Sequence, residues 1–287
     1  MRSLLVIFIS LAFIVESSAQ FILYGYDSKS LHSGSTLVML NESDSINYQA
    51  ILRAREDWKL TSGLTLMNPA KPGTMKVSEG NTAIVPMVEN FGPNPSNYRL
   101  AFVVAGKNFS ALGETPEGFY TRIADGEIIA SLVIDKELLH TVHVSNFLLA
   151  LGTLAKASAF LKSDADKDAK WKRNYYFEGI VDVIFEPSHL DILVNDKFKV
   201  QQQMYQGKVM DEPMRNSPDL FVKNTRGFAY IVTEYRKDME PMIHRYYVVP
   251  GRGLVYLESN PESKHPVHKF TRDDLFIYGK AQREGRH

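Results

Sequence analysis

The chemistry available to this chain lies in a few stretches where carboxylates, imidazoles and hydroxyls stand close together. The first is "SDADKDAKWKR", Ser163 to Arg173, where Asp164, Asp166 and Asp168 alternate as they do at the start of a calcium loop. An EF-hand loop beginning at Asp164 needs Gly at its sixth position and a bidentate carboxylate at its twelfth. Those places hold Ala169 and Tyr175, and Lys167, Lys170, Lys172 and Arg173 offset the acidic charge. The stretch reads as a solvated, charged link.

Two histidine pairs follow, His140 with His143 and His265 with His268, each three residues apart. On a helix that spacing turns both imidazoles to one side. Zinc takes three or four ligands, and this chain has no cysteine to supply one. Asp135 or Glu137 would have to complete the first pair, and Asp273 or Asp274 the second. Pro266 inside the second pair disfavours a regular helix there. No metal and no cofactor is expected. The residues nearest to a metal site are His140, His143, Asp164, Asp166 and Asp168.

Acid–base catalysis would draw on Glu178 and Asp182, which share one face of "YYFEGIVDVIFE". Four residues of strand separate them by ~13 Å. Glycosidase carboxylates stand roughly 5 to 9.5 Å apart, so a dyad needs a second strand, for instance one carrying Glu234. "SHLD" adds Ser188, His189 and Asp191 without a Gly-x-Ser-x-Gly elbow around the serine. A Ser-x-x-Lys pair, a His-Glu-x-x-His helix and a phosphate-cradling Gly-Lys-Ser/Thr loop are all missing. Glu178, Asp182 and His189 are therefore the catalytic candidates of a hydrolase reading, and no ligand-binding residue stands out.

The elements that must position these groups are read from pattern. "STLVML", Ser35 to Leu40, is a buried strand. "INYQAILRAREDWKL" places Ile46, Ala50, Ile51, Ala54 and Trp58 on one helical face, and "GLTLMN" follows as a strand. "TAIVPMV" is strand-like, with Pro86 pointing to an edge. "YRLAFVVA" and "EIIASLVID" are strands separated by a loop at "GKNFSALGETPEG". Ser145 to Ser163 is a nearly apolar helix that Ser145 can cap, which implies burial, and Lys156 argues against a membrane span. Beyond Tyr175, "RGFAYIVTEYRK", "PMIHRYYVV" and "RGLVYLES" follow across the short breaks "DME" and "PG", the mark of an antiparallel meander. No internal repeat is visible. The expectation is an α+β fold: an N-terminal strand–helix–strand half with a long buried helix, and a mainly antiparallel C-terminal sheet.

The N-terminus has the grammar of a secretory signal. Arg2 precedes the apolar run Leu4 to Val15, and Ser17 and Ala19 are the small residues before a cut at Gln20. The run is too short to span a membrane as a helix. The organisation expected is a signal peptide at 1–19, an α/β region at 20–172 and a β-rich region at 173–287, the last two sharing one core or folding apart. A cysteine-free chain entering a disulfide-permissive compartment suggests a bacterial exported protein. Asn41 and Asn108 head two sequons, which matter only in a eukaryotic route.

The 287 residues carry 33 Lys plus Arg against 33 Asp plus Glu, and 44% are apolar. That balance lacks the basic excess with which nucleic-acid binders neutralise phosphate, so no nucleic-acid partner is expected. The end, Lys264 to His287, is locally basic. The function expected is that of an exported, non-catalytic protein, periplasmic or secreted, binding an envelope protein or glycan. A carboxylate-dependent, glycan-acting hydrolase is the alternative, and a structural part of an envelope assembly is the third.

Overall fold

The computed structural model describes residues 34–40, 45–66, 77–92, 95–139, 141, 143–160, 182–185, 209–211, 226–249, 253–263 and 268–271. The architecture is mostly β, with a few helices. The strand–helix–strand unit is present as β1 (Thr36–Val38), α1 (Ser45–Asp57) and β2 (Leu64–Leu66), with β1 and β2 parallel and adjacent. Ala50, Ile51 and Ala54 of α1 are buried, and so is Trp58 just past its end. This is the apolar face that the helical spacing marks.

β3 (Thr82–Glu89) lies between β1 and β4 (Asn97–Glu114), so Pro86 sits in a central strand. The edge expectation is not met, and the proline is tolerated for a local reason. β1 pairs with β3 only at Ala83 and Ile84, and the carbonyl of Ile84 accepts from Met39 on that side. Pro86 faces the same way two residues later, where β1 has ended and no amide donor is needed.

The segment read as a loop after Ala105 is strand. β4 continues to Glu114, and β5 (Tyr120–Ile134) starts seven residues before Glu127. This extension is largely solvent-facing, so it lacks the apolar alternation that would announce it. It bends where the ladder shifts between Ala105 and Ser110, and Tyr120 comes back to pair with Met87 of β3. Strands β3 to β5 thereby curl around a second apolar cluster of Ala83, Val85, Ala101, Val103 and Tyr120.

α2 (Lys136–Leu139) leads into α3 (Val144–Phe160). Ser145 falls inside the first turn and does not cap it. The hydroxyl of Thr141 accepts from the His143 amide at the helix entrance instead. Val144, Phe147, Leu148, Ala150, Leu151 and Leu154 of α3 are buried, and Lys156 is exposed.

A second five-stranded sheet holds β6 (Asp182–Phe185), β7 (Val209–Asp211), β8 (Arg226–Arg236), β9 (Met239–Val249) and β10 (Gly253–Pro261). β8, β9 and β10 form the expected meander, but β6 joins β8 in parallel and β7 joins β6 in parallel, so the sheet is mixed. The first sheet runs β2-β1-β3-β4-β5 and the second β7-β6-β8-β9-β10. In each, the first three strands of the unit are parallel and the last two antiparallel. The crossovers also match, 39–63 against 186–208 and 67–81 against 212–225. One topology is therefore built twice by sequences with no visible repeat.

α3 lies against both sheets. One cluster of buried residues joins Leu100, Phe102, Ile129 and Leu132 of the first sheet to Leu148, Leu151 and Leu154 of α3. It continues to Phe228, Tyr230, Tyr246 and Val248 of the second sheet. Among the described residues no helix is long and apolar enough to cross a membrane. That statement does not extend to membrane-spanning strands.

Candidate functional site

Of the residues singled out from the sequence, Asp182, His143, Glu234 and His268 lie among the described ones. Glu178, His189, His140, Asp164, Asp166, Asp168 and His265 lie outside the described residues, as do the signal segment and the region boundary near 172. Asp182 stands on β6 in register with Arg226 of β8. Glu234 is eight residues further along β8, ~26 Å at an extended rise, so Asp182 and Glu234 do not form a dyad.

His143 is fully buried at the foot of α3. Its Nδ1 lies 2.7 Å from the Tyr230 hydroxyl, which also accepts from Asn146 Nδ2 at 2.8 Å. The imidazole stands edge-on to Phe228 and Tyr230. Burial pushes the Tyr230 phenol well above its ordinary range, the Asn146 donor opposing only weakly, so it stays neutral as a helix-to-sheet tie. Among the described residues no group of three or more His, Asp or Glu side chains is placed to hold a metal.

The polar constellation that the fold does build takes up Glu234, named above only as a possible dyad partner, with Ser259, His244, Arg99 and Glu89, which the sequence does not single out. Strand pairing sets Ser259 of β10 opposite His244 of β9, and Glu234 of β8 opposite Met242, two residues from His244. Alternation then puts all three side chains on one face of the second sheet. His244 Nδ1 is 2.8 Å from Ser259 Oγ, and its Nε2 is 2.9 Å from Glu234 Oε2. The other oxygen of Glu234 accepts from Arg99 Nη2, and Arg99 Nε donates to Glu89 Oε2 at 2.9 Å. The line Ser259–His244–Glu234–Arg99–Glu89 therefore passes from the second sheet into the first.

Asn97, beside Arg99 on β4, ties the same seam. Its Nδ2 donates to the Tyr235 carbonyl at 2.6 Å and its Oδ1 accepts from the Tyr235 amide at 2.7 Å. Its side chain thus completes backbone hydrogen bonding beside the buried charges.

Burial and charge compete at Glu234, whose side chain is 3% exposed. Burial pushes its carboxyl up, but the His244 hydrogen bond and the Arg99 charge outweigh this and hold it below the ordinary carboxylate range. At Arg99 burial pulls the guanidinium down, and Glu234 and Glu89 together hold it above its usual value. Both ions are thus charged at neutral pH.

A second relay of the same pattern lies outside. Thr233 Oγ1 is 2.9 Å from His268 Nδ1, and His268 Nε2 is 2.6 Å from Glu262 Oε1. Here the His268 and Glu262 side chains are 45% and 37% exposed, so water screens the pair.

Compared with known family models, curated proteins and solved structures, the chain finds no match.

Proposed function

We propose that the chain is an exported protein that binds a partner or ligand at the cell envelope. The observation that carries this reading is the use the fold makes of its buried charges. Glu234 and Arg99 are paired in the seam between the two sheets, and Arg99 also holds the partly exposed Glu89, so both carboxylates answer one guanidinium. Asp182 and Glu234 stand ~26 Å apart along the strand, so these two do not supply the paired carboxylates of the hydrolase reading. The export part rests on the N-terminal segment, with its short apolar run and small residues before Gln20.

The test is recovery of the tagged mature chain, from Gln20 onward, from an envelope extract, paired with mass spectrometry of bound small molecules and glycans. A partner or ligand that rebinds saturably to the purified chain is the expected result. Recovery of neither, together with glycan hydrolysis that Glu178→Gln abolishes, would overturn the binding reading in favour of the hydrolase.

A further inference from the structure

We infer that Ser259 is an activated nucleophile, deprotonated by His244 and able to accept an acyl group from an activated ester. The inference stands apart from the binding reading and adds a chemical step to it.

The direction of each hydrogen bond follows from Glu234. An ionised carboxylate only accepts, so His244 Nε2, 2.9 Å from Glu234 Oε2, carries a hydrogen and donates it. In the neutral imidazole that leaves Nδ1 as an acceptor, and the Ser259 hydroxyl at 2.8 Å donates to it. Hydroxyl to imidazole to carboxylate is the polarity a nucleophilic serine requires. The nitrogens are exchanged relative to the usual serine triad, which leaves the proton path unchanged.

Placement separates this relay from the surface one. His244 and Glu234 are 1% and 3% exposed, and Arg99 holds the carboxylate from its far side. The base is therefore fixed and shielded from water, where its electrostatic interactions are strong. Ser259 itself is half-buried and lies on β10, the terminal strand of the second sheet in the described pairing. The Thr233–His268–Glu262 relay has the same order of groups without the burial, and it serves as the internal comparison.

In the step proposed, Ser259 Oγ attacks the ester carbonyl carbon and its proton passes to His244 Nδ1. The bond from that carbon to the leaving oxygen breaks, and the leaving oxygen takes the proton from Nδ1. An acyl-Ser259 and a free alcohol result. Water then repeats the sequence and releases the carboxylic acid.

A fluorophosphonate probe on the native full chain tests this directly, since Oγ–P forms as P–F breaks. Peptide mapping should find the label on Ser259, at least about tenfold above Thr233 and Ser263. Ser259→Ala should abolish it, and His244→Asn should slow it about 100-fold, the scale of a lost general base. Labelling should also vanish in urea, a comparison that decides the matter if His244→Asn does not fold. Absence of label at Ser259, or equal labelling of the native and urea-unfolded chains, would overturn the inference.

Discussion

Arg99 answers two carboxylates at once, Glu89 on its own sheet and Glu234 on the other. Removing one member of a buried ion pair is costly because the remaining charge stays desolvated. Arg99→Leu should therefore destabilise the chain by about 3 kcal/mol, read from urea unfolding. Residues in one network do not add, so Arg99→Leu combined with Glu234→Gln should cost less than the sum of the two single changes, by about 1 kcal/mol or more. Additive losses would show that the two groups act independently. The same contacts set an acid response. Glu234 has its carboxyl lowered from the 4.5 of a free side chain, so its contribution is complete above that pH and fades as pH falls through the lower folded value. The gap between the urea midpoints of the native chain and Glu234→Gln should be widest at neutral pH and should narrow below about 4.5. A gap that does not change down to strongly acid pH would contradict the assigned charge state.

α3 is the element on which both sheets rest, and two glycines allow close approaches to it, one by Trp58 and one by β10. At Gly152 a Cβ would stand 2.7 Å from Cζ3 of Trp58, so the bare backbone makes room for the indole behind α1. Gly253 opens β10 at φ +79°, and a Cβ there would clash with Thr153 Oγ1 and lie 2.9 Å from the Leu149 carbonyl. Gly152→Ala should cost about 1–3 kcal/mol by overpacking. Gly253→Ala should cost a similar amount or more, since strain in the left-handed region is added to the clash. Adding Thr153→Ala to Gly253→Ala should restore part of the loss and no more, because the Leu149 carbonyl remains. Unchanged urea midpoints in both single variants would refute this packing. Much of the element level was legible in the sequence: the stripes of α1 and α3 and the breaks "DME" and "PG" come from local pattern. The meander even held the relay implicitly. The β8–β9 and β9–β10 registers place Ser259 opposite His244 and Glu234 two residues away along the same face. Arg99 was not legible, because its meeting with Glu234 depends on how one sheet packs against another, which no period in the chain encodes. The extended β4–β5 hairpin was missed for a related reason: a solvent-facing arm has no apolar alternation to show.

At the scale of the whole molecule, one strand order occurs twice and both copies bury apolar residues in a common cluster with α3. Parallel pairing of β6 and β7 beside a meander made the second sheet mixed, an outcome that short local turns alone do not predict. Topology of this kind is carried by long-range pairing, so two chains of unlike sequence can build it. The functional account rests on where this body is delivered. Export would place it among envelope proteins and glycans, the partners proposed for it. The most direct test is cell fractionation with intact mass and N-terminal sequencing of the chain expressed in its own cells. The account predicts a species beginning at Gln20 in the periplasm or the medium; full-length chain beginning at Met1 and retained in the cytoplasm would contradict it.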